Sequence, residues 1–248
     1  TMIGFLASAL LVVTTVLPRA PTQQTTGQGV YSKTTRGVRF YLRTPRLRGL
    51  LALTLASAAA SSMVIVNTVV IVRDKLGLGQ QEVALTLAAF GAGSILAAFT
   101  LPRILDRVSD RVIMLMSGAM LAWLLAIMAV VTYWIGGHSS YWYALLAGWF
   151  AMGIAYSMSV TPSGRLLKRS AKAEDRPALF AAQFALSHGC WLICYPLAGQ
   201  LGAGGDQILA FVVLSVLAHA GVIGARFLWP AEDPDILAHS HPDLPPEH

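Results

Sequence analysis

The sequence has 248 residues, of which 55% are apolar and only 12% are charged, and its mean hydropathy is +0.61. This composition is too apolar for an ordinary soluble domain. The formal net charge of +6 is collected in a few short segments between long apolar runs, which argues against a nucleic-acid-binding surface.

Six charge-free apolar runs are long enough to cross a bilayer, because a spanning helix needs about 20 residues. They cover residues 49–72, 83–102, 112–135, 141–164, 177–199 and 207–225. A shorter run over 2–17 lacks the basic start and the small-residue cleavage site of a signal peptide, so it is interpreted as the end of another transmembrane helix. Unbroken runs favour helices over the alternating segments of a β-barrel.

The expected fold is therefore an all-α integral membrane bundle. Residues 1–17 form the end of a transmembrane helix, 18–48 a basic cytoplasmic linker, 49–229 a six-helix bundle and 230–248 a disordered cytoplasmic tail. The two cysteines lie four residues apart in one apolar run, a helical spacing too long for a disulfide, and are expected to be reduced.

The basic residues fall on alternate loops. Of the 18 lysines and arginines, all but Arg73 and Lys75 lie in 18–48, in 103–111, in 165–176 or at the end of the last run. Because basic residues mark the cytoplasmic face, the sequence predicts that these loops and the C-terminal tail lie inside the cell.

A concentration of charge separates the runs 83–102 and 112–135, in the stretch "LPRILDRVSDRVIML". Its charged residues are Arg103, Asp106, Arg107, Asp110 and Arg111. Helical spacing predicts the pairs Asp106–Arg103 and Arg107–Asp110, and Ser109 or Asp110 is expected to cap the next helix. Exposed pairs of this kind contribute only about 0–1 kcal/mol each, which suits contacts that exchange between two states.

This stretch resembles the signature loop of the major facilitator superfamily, Gly-x-Leu-x-Asp-Arg-x-Gly-Arg-Arg. Asp106 and Arg107 match its Asp-Arg core and Arg111 its final basic position, whereas Pro102, Ser109 and Asp110 depart from it. The stretches "VIVRDKLGLGQQEVALTLAAFGAGSILAA" and "AEDRPALFAAQFALSHGCWLICYPLAGQLGA" also resemble helices seven to eight and eleven of the exporter branch that includes enterobactin and macrolide efflux proteins.

The resemblance covers nearly the whole chain and implies a secondary transporter of a bacterial inner (plasma) membrane. It places the chain from the sixth of twelve helices onward, so that a six-helix N-terminal half is missing. It also implies that the charged loop gates the cytoplasmic side during alternating access. The simpler alternative is a basic loop that only fixes topology, but Asp106 contributes nothing to such a signal.

Several polar side chains lie inside the runs, where hydrocarbon makes them costly. They form three groups: Ser57, Ser61, Asn67 and Thr68; Tyr156, Ser159 and Ser163; and Gln183, Ser187, His188 and Trp191. The resemblance makes these helices seven, ten and eleven, and it implies that the substrate cavity is lined by candidates Asn67, Thr68, Tyr156, Gln183, His188 and Trp191. The serines are better explained as ties between helices, while for Asn67, Gln183 and His188 the two interpretations are balanced.

The tail contains His239, His241 and His248, which are weak candidates for metal ligands because its prolines predict disorder. A Walker-type glycine loop is missing, so direct use of ATP is not expected. No cofactor and no enzymatic activity are predicted.

The function predicted is proton-coupled efflux of a small organic compound by alternating access. The expected partners are the lipid bilayer, the small-molecule substrate, the proton as coupling ion and the missing N-terminal half, without nucleic acid. Two alternatives remain: a transition-metal ion exporter, and a non-transporting membrane sensor or interaction module.

Overall fold

The computed structural model describes residues 2–15 and 30–231, and within these ranges the regular structure is entirely helical. The helices are α1 (Met2–Thr14), α2 (Val30–Arg43), α3 (Pro45–Val69), α4 (Gln80–Leu105), α5 (Asp110–Ile135), α6 (Tyr141–Val160), α7 (Ser163–Ser170), α8 (Arg176–Ala203) and α9 (Gln207–Leu228). A π-helical turn over Val70–Lys75 continues α3. The prediction of an all-α membrane bundle is confirmed.

The chain divides into two compact units, residues 1–33 and 34–248. The first contains α1, an apolar helix whose described side chains are exposed. Its assignment as the end of a transmembrane helix stays a prediction.

Six helical segments of the second unit are long and apolar enough to cross a membrane. They are Pro45–Lys75, Gln80–Leu105, Asp110–Ile135, Tyr141–Ser170, Arg176–Ala203 and Gln207–Leu228, and each contains one of the six predicted runs.

The residues at the N-termini of three spanning helices explain where these helices begin. Proline occupies the first turn of α3 and of α8, where no backbone N–H is needed. At the start of α9, Asp206 Oδ1 accepts a hydrogen bond from the Leu209 N–H at 2.9 Å.

The packing pattern relates the first three spanning helices to the last three. Helix α3 packs on α8 and α9, α6 packs on α4 and α5, and α5 packs on α9. Exchanging α3 with α6, α4 with α8 and α5 with α9 reproduces these five pairs, which are the most extensive helix contacts of the described residues. An internal three-helix repeat of this kind is the architecture of many secondary transporters.

Glycines set the closest approach within the bundle. A Cβ added to Gly93 of α4 would overlap the Phe150 carbonyl of α6, and one added to Gly153 of α6 would overlap the Phe90 carbonyl of α4. The two backbones therefore touch through a reciprocal glycine contact, as small residues permit between membrane helices.

The amphipathic helix α2 packs against the start of α8. Gly37 lies against the Ala178 carbonyl, and Arg36 Nη2 forms an ion pair with Asp175 Oδ1 at 2.9 Å. Tyr41 is fully buried at this contact. The C-terminal part of the segment predicted as a linker thus belongs structurally to the bundle.

Candidate functional site: the charged loop and the central cavity

The charged loop joins the end of α4 at Leu105 to the start of α5 at Asp110. Asp106 and Arg107 are exposed on it, and within the described residues neither of the predicted pairs, Asp106–Arg103 and Arg107–Asp110, forms an ion pair. The Arg107–Asp110 pairing was wrong because the chain leaves the helix after Leu105, so helical spacing does not apply across the loop. Asp106 ends α4 in a helical conformation, but its exposed side chain forms no ion pair with Arg103.

Asp110 pairs instead with Arg165 of α7. The Nε of Arg165 lies 3.1 Å from both carboxylate oxygens, and its Nη2 lies 2.5 Å from Oδ1. Only 2% of the Asp110 side chain is exposed, against 53% of the Arg165 side chain. As the first residue of α5, Asp110 points inward and also lies at the favourable end of the helix dipole. Ser109 occupies the N-cap position without a side-chain hydrogen bond.

Arg111 contacts the chain directly after the last spanning helix, α9. Its Nε and Nη2 donate to the Trp229 carbonyl at 3.1 and 3.0 Å, just past the last helix. The Trp229 side chain is fully buried and lies against Gly49 at the start of α3. Arg111 therefore ties the beginning of α5 to the junction of α3 and α9.

An open cleft of about 460 Å³ lies at this loop. Asp106, Arg107, Asp110, Arg165 and Arg169 contribute its charged lining. The cleft exposes Asp106 to solvent while the Asp110–Arg165 pair forms part of its wall. The buried Asp110 carboxylate thus has a geometrically defined partner, whereas the exposed Asp106 carboxylate has no ion-pair partner in the described part of the chain.

A second cavity, of about 140 Å³, lies between α3, α6 and α8 and is called the central cavity below. Its polar and aromatic lining consists of Thr54, Ser57, Tyr156, Ser159, Ser163, Gln183, Ser187 and Trp191. Three predicted cavity residues, Tyr156, Gln183 and Trp191, thus come together. None of the described residues that line it is acidic or basic.

Hydrogen bonds occupy part of this polar lining. The Ser57 and Ser159 hydroxyls lie 3.0 Å apart and join α3 to α6, in agreement with the interpretation of the serines as ties. The Tyr41 hydroxyl donates to Gln183 Oε1. Burial raises the pKa of the Tyr41 phenol far above its ordinary value, so it remains a donor. The amide N–H groups of Gln183 find no acceptor among the described residues and remain available to the cavity.

The structure places Asn67 and Thr68 elsewhere, within helix contacts. Thr68 accepts a hydrogen bond from Trp149 Nε1 at 2.7 Å, and Asn67 Nδ2 donates to the Ala198 carbonyl at 3.0 Å. Both residues lie about 15 Å along α3 from Ser57 of the cavity. At their level, α6 and α8 pack directly against α3. They tie helices together and do not line the cavity.

His188 also lies off the cavity. It follows Gln183 by five residues, which turns it about 140° around α8. Its exposed ring lies 4.0 Å from the Phe184 ring, with Nδ1 2.7 Å from the Phe184 carbonyl.

Two further histidine regions lie away from the cavity. In the last helix, the Ser215 hydroxyl donates to the Ala122 carbonyl at 3.0 Å, whereas His219 Nδ1 lies 2.9 Å from the Ser215 carbonyl of its own helix. The tail histidines His239, His241 and His248 lie outside the described residues, within which no group of three or more metal-ligating side chains occurs.

Sequence reasoning missed Tyr41, Arg165 and Trp229 as site residues. The spacing of Val38, Tyr41 and Leu42 in the basic segment carries a weak helical signal that could have indicated α2. No local signal shows that Arg165 would meet Asp110 or that Arg111 would meet the Trp229 carbonyl.

In a comparison with protein families, the model of the Major Facilitator Superfamily matches residues 50–243. No curated protein and no solved structure matches the chain significantly.

Proposed function

Because the chain belongs to the Major Facilitator Superfamily and is a multi-pass membrane transporter of that type, we propose that it exports a small, largely apolar organic compound in exchange for protons. The observation that carries this proposal is the cavity between α3, α6 and α8, on which the polar residues of three spanning helices converge. Midplane sites between repeated helices are where secondary transporters hold their substrates.

The lining of the cavity supports a neutral or weakly polar substrate. Tyr156 and Trp191 offer aromatic surface, and the Gln183 amide offers a hydrogen-bond donor. Among the described lining residues, no charged side chain is present to recognise an inorganic ion or a strongly charged organic ion. The apolar surface would provide affinity, and the amide would provide orientation.

We extend the proposal to a second six-helix half that closes the cavity from the opposite side. Helices α4 and α8 occupy equivalent positions in the internal repeat, and fewer than a quarter of their spanning residues are buried. Movement of the two halves would open the cavity to each face in turn.

The charged loop is proposed as the gate on the cytoplasmic side. The Asp110–Arg165 and Arg111–Trp229 contacts hold its base to the bundle, which leaves Asp106 as the exposed group able to exchange partners between states. The proposed orientation puts this end and the C-terminus in the cytoplasm of a bacterial cell, in its inner membrane, as the basic loops predict.

Proton coupling and export are proposed from the resemblance to the exporter branch. The described spans carry no carboxylate at their centres, so a carboxylate proton site would have to lie outside them. The metal-exporter alternative depends on tail residues outside the described ranges.

A dye-transport experiment tests the proposal. Inverted membrane vesicles containing the protein are energised with a pH gradient, and uptake of the neutral lipophilic dye Nile red is followed by fluorescence. We expect Gln183→Leu and Trp191→Ala to reduce uptake about tenfold or more, because both side chains line the cavity. His188→Gln, on the same helix but off the cavity, serves as the matched control.

Dye uptake that persists without the pH gradient would contradict proton coupling. Equal uptake by the Gln183→Leu and His188→Gln proteins would remove the cavity from the proposal. Accumulation of zinc, nickel or cobalt instead of dye would favour the metal exporter.

A further inference from the structure

An apolar groove of about 450 Å³ runs along the outside of the bundle, between the beginning of α3, the middle of α8 and the end of α9. Its walls include Leu51, Leu55, Leu186, Gly189, Ile193 and Leu228. Arg48, three residues after the start of α3, is the single charged residue among its described lining residues.

The groove is separate from the central cavity. The cavity uses Gln183, Ser187 and Trp191 of α8, whereas the groove uses Leu186, Gly189 and Ile193 of the same helix. The two sites share no lining residue. Ile193 is 58% exposed, so the groove opens at the surface of a segment that spans the bilayer.

Arg48 gives the groove a charged end. Its side chain is exposed, and within the described residues it forms no ion pair. Leu42 of α2 also lines this end, and Arg39 lies one helical turn before Leu42 with its side chain exposed. Arg48 therefore lies at the end of the groove and Arg39 about one helical turn beyond Leu42, and none of the described lining residues is acidic.

We propose that this groove binds one anionic phospholipid. An acyl chain lies along Leu51, Leu55, Leu186 and Ile193, and the phosphate is held by Arg48 with support from Arg39. Arginine is suited to this role because its planar guanidinium can donate two parallel hydrogen bonds to a phosphate. Arg48 follows the first turn of a spanning helix, which places it at the depth of the headgroups.

The structure provides a substitution that fills the groove without disturbing the fold. A Cβ added at Gly189 meets nothing within 4 Å. Gly189→Leu therefore puts a side chain into the groove while favouring the helical backbone. Gly91→Leu on α4 is the matched control, since that helical glycine is equally open and lies away from the groove.

The test is native mass spectrometry of the delipidated full-length protein in detergent, titrated with phosphatidylglycerol or phosphatidylcholine. We expect the unmodified protein to bind one phosphatidylglycerol more tightly than phosphatidylcholine. Arg48→Gln should weaken the binding of phosphatidylglycerol about fivefold and leave the binding of phosphatidylcholine unchanged. Gly189→Leu should weaken the binding of both lipids, whereas Gly91→Leu and Arg226→Gln should bind both lipids like the unmodified protein.

Three results would overturn the proposal. One is equal binding of the two lipids by the unmodified protein, which would deny headgroup recognition. Another is unchanged lipid binding in both Arg48→Gln and Gly189→Leu. The third is dimerisation of the unmodified protein that Gly189→Leu abolishes and lipid does not displace, which would make the groove an interface between copies. If Gly189→Leu fails to fold, Arg48→Gln still decides the question.

Discussion

The ion pair between Asp110 and Arg165 should respond unequally to loss of its two members. In Arg165→Gln, the carboxylate of Asp110 stays buried, with 2% of its side chain exposed, and loses its only charged partner in the described residues. In Asp110→Asn, the guanidinium of Arg165 remains 53% exposed and is solvated by water. Arg165→Gln should therefore be the more destabilising change.

The exposed fractions of the Asp110 and Arg165 side chains set the expected loss in the free energy of unfolding. Breaking a fully buried pair costs about 3–5 kcal/mol, because one charge stays buried without compensation. Exposed pairs contribute about 0–1 kcal/mol. Since Arg165 is half exposed, we expect the free energy of unfolding to fall by about 2 kcal/mol in Arg165→Gln and by about 1 kcal/mol in Asp110→Asn. For a bundle of this size the first loss corresponds to roughly 4–8 °C in the unfolding midpoint.

Thermal unfolding in dodecyl maltoside, followed by tryptophan fluorescence, measures these differences. Arg36→Gln is the control, because the Arg36–Asp175 pair is exposed at both members, 59% and 35%, and its loss should change the midpoint little. The reasoning fails if Asp110→Asn lowers the midpoint as much as Arg165→Gln, or if Arg36→Gln has the largest effect.

The structure predicts three further outcomes. Tyr41→Phe removes the donor to Gln183 but keeps the ring, so it should cost about 1 kcal/mol in thermal unfolding, and no change would deny the hydrogen bond. Asp106→Asn should leave thermal unfolding unchanged, because the exposed carboxylate forms no ion pair in the described residues. If the loop is a gate, the same change should lower dye uptake per inserted protein, and normal uptake would reduce the loop to a topology signal. Gly153→Leu should prevent α4 and α6 from packing and yield aggregated protein on size-exclusion chromatography, whereas Gly91→Leu should elute normally.

The charged loop shows how far spacing can be used to predict contacts. Its position between two spanning helices followed from the apolar runs, and Ser109, one of the two residues expected to cap α5, occupies the N-cap position without a side-chain hydrogen bond. Its pairings did not follow, because Asp110 meets a residue 55 positions later and Arg111 meets a carbonyl 118 positions later. Helical spacing describes contacts within one helix and contains no information about which helix lies opposite.

The central cavity shows the same division among the predicted polar residues. Each of the three helices was predicted to carry a polar stripe, and three of the six candidates, Tyr156, Gln183 and Trp191, line the cavity. A stripe runs the whole length of a helix, whereas a cavity occupies a short part of it. The depth at which neighbouring helices separate decided that Thr68 would bind Trp149 instead.

The sequence by itself determined the membrane-spanning helices, because hydropathy is summed along the chain and a helix in hydrocarbon satisfies its own backbone groups. It also determined several helix ends, where proline and aspartate act on neighbouring residues. Only the tertiary structure decided the partners of Asp110 and Arg111, the contact of Tyr41 with Gln183 and the groove beside Arg48. Those features join residues far apart in the chain, and they exist only once the helices have packed.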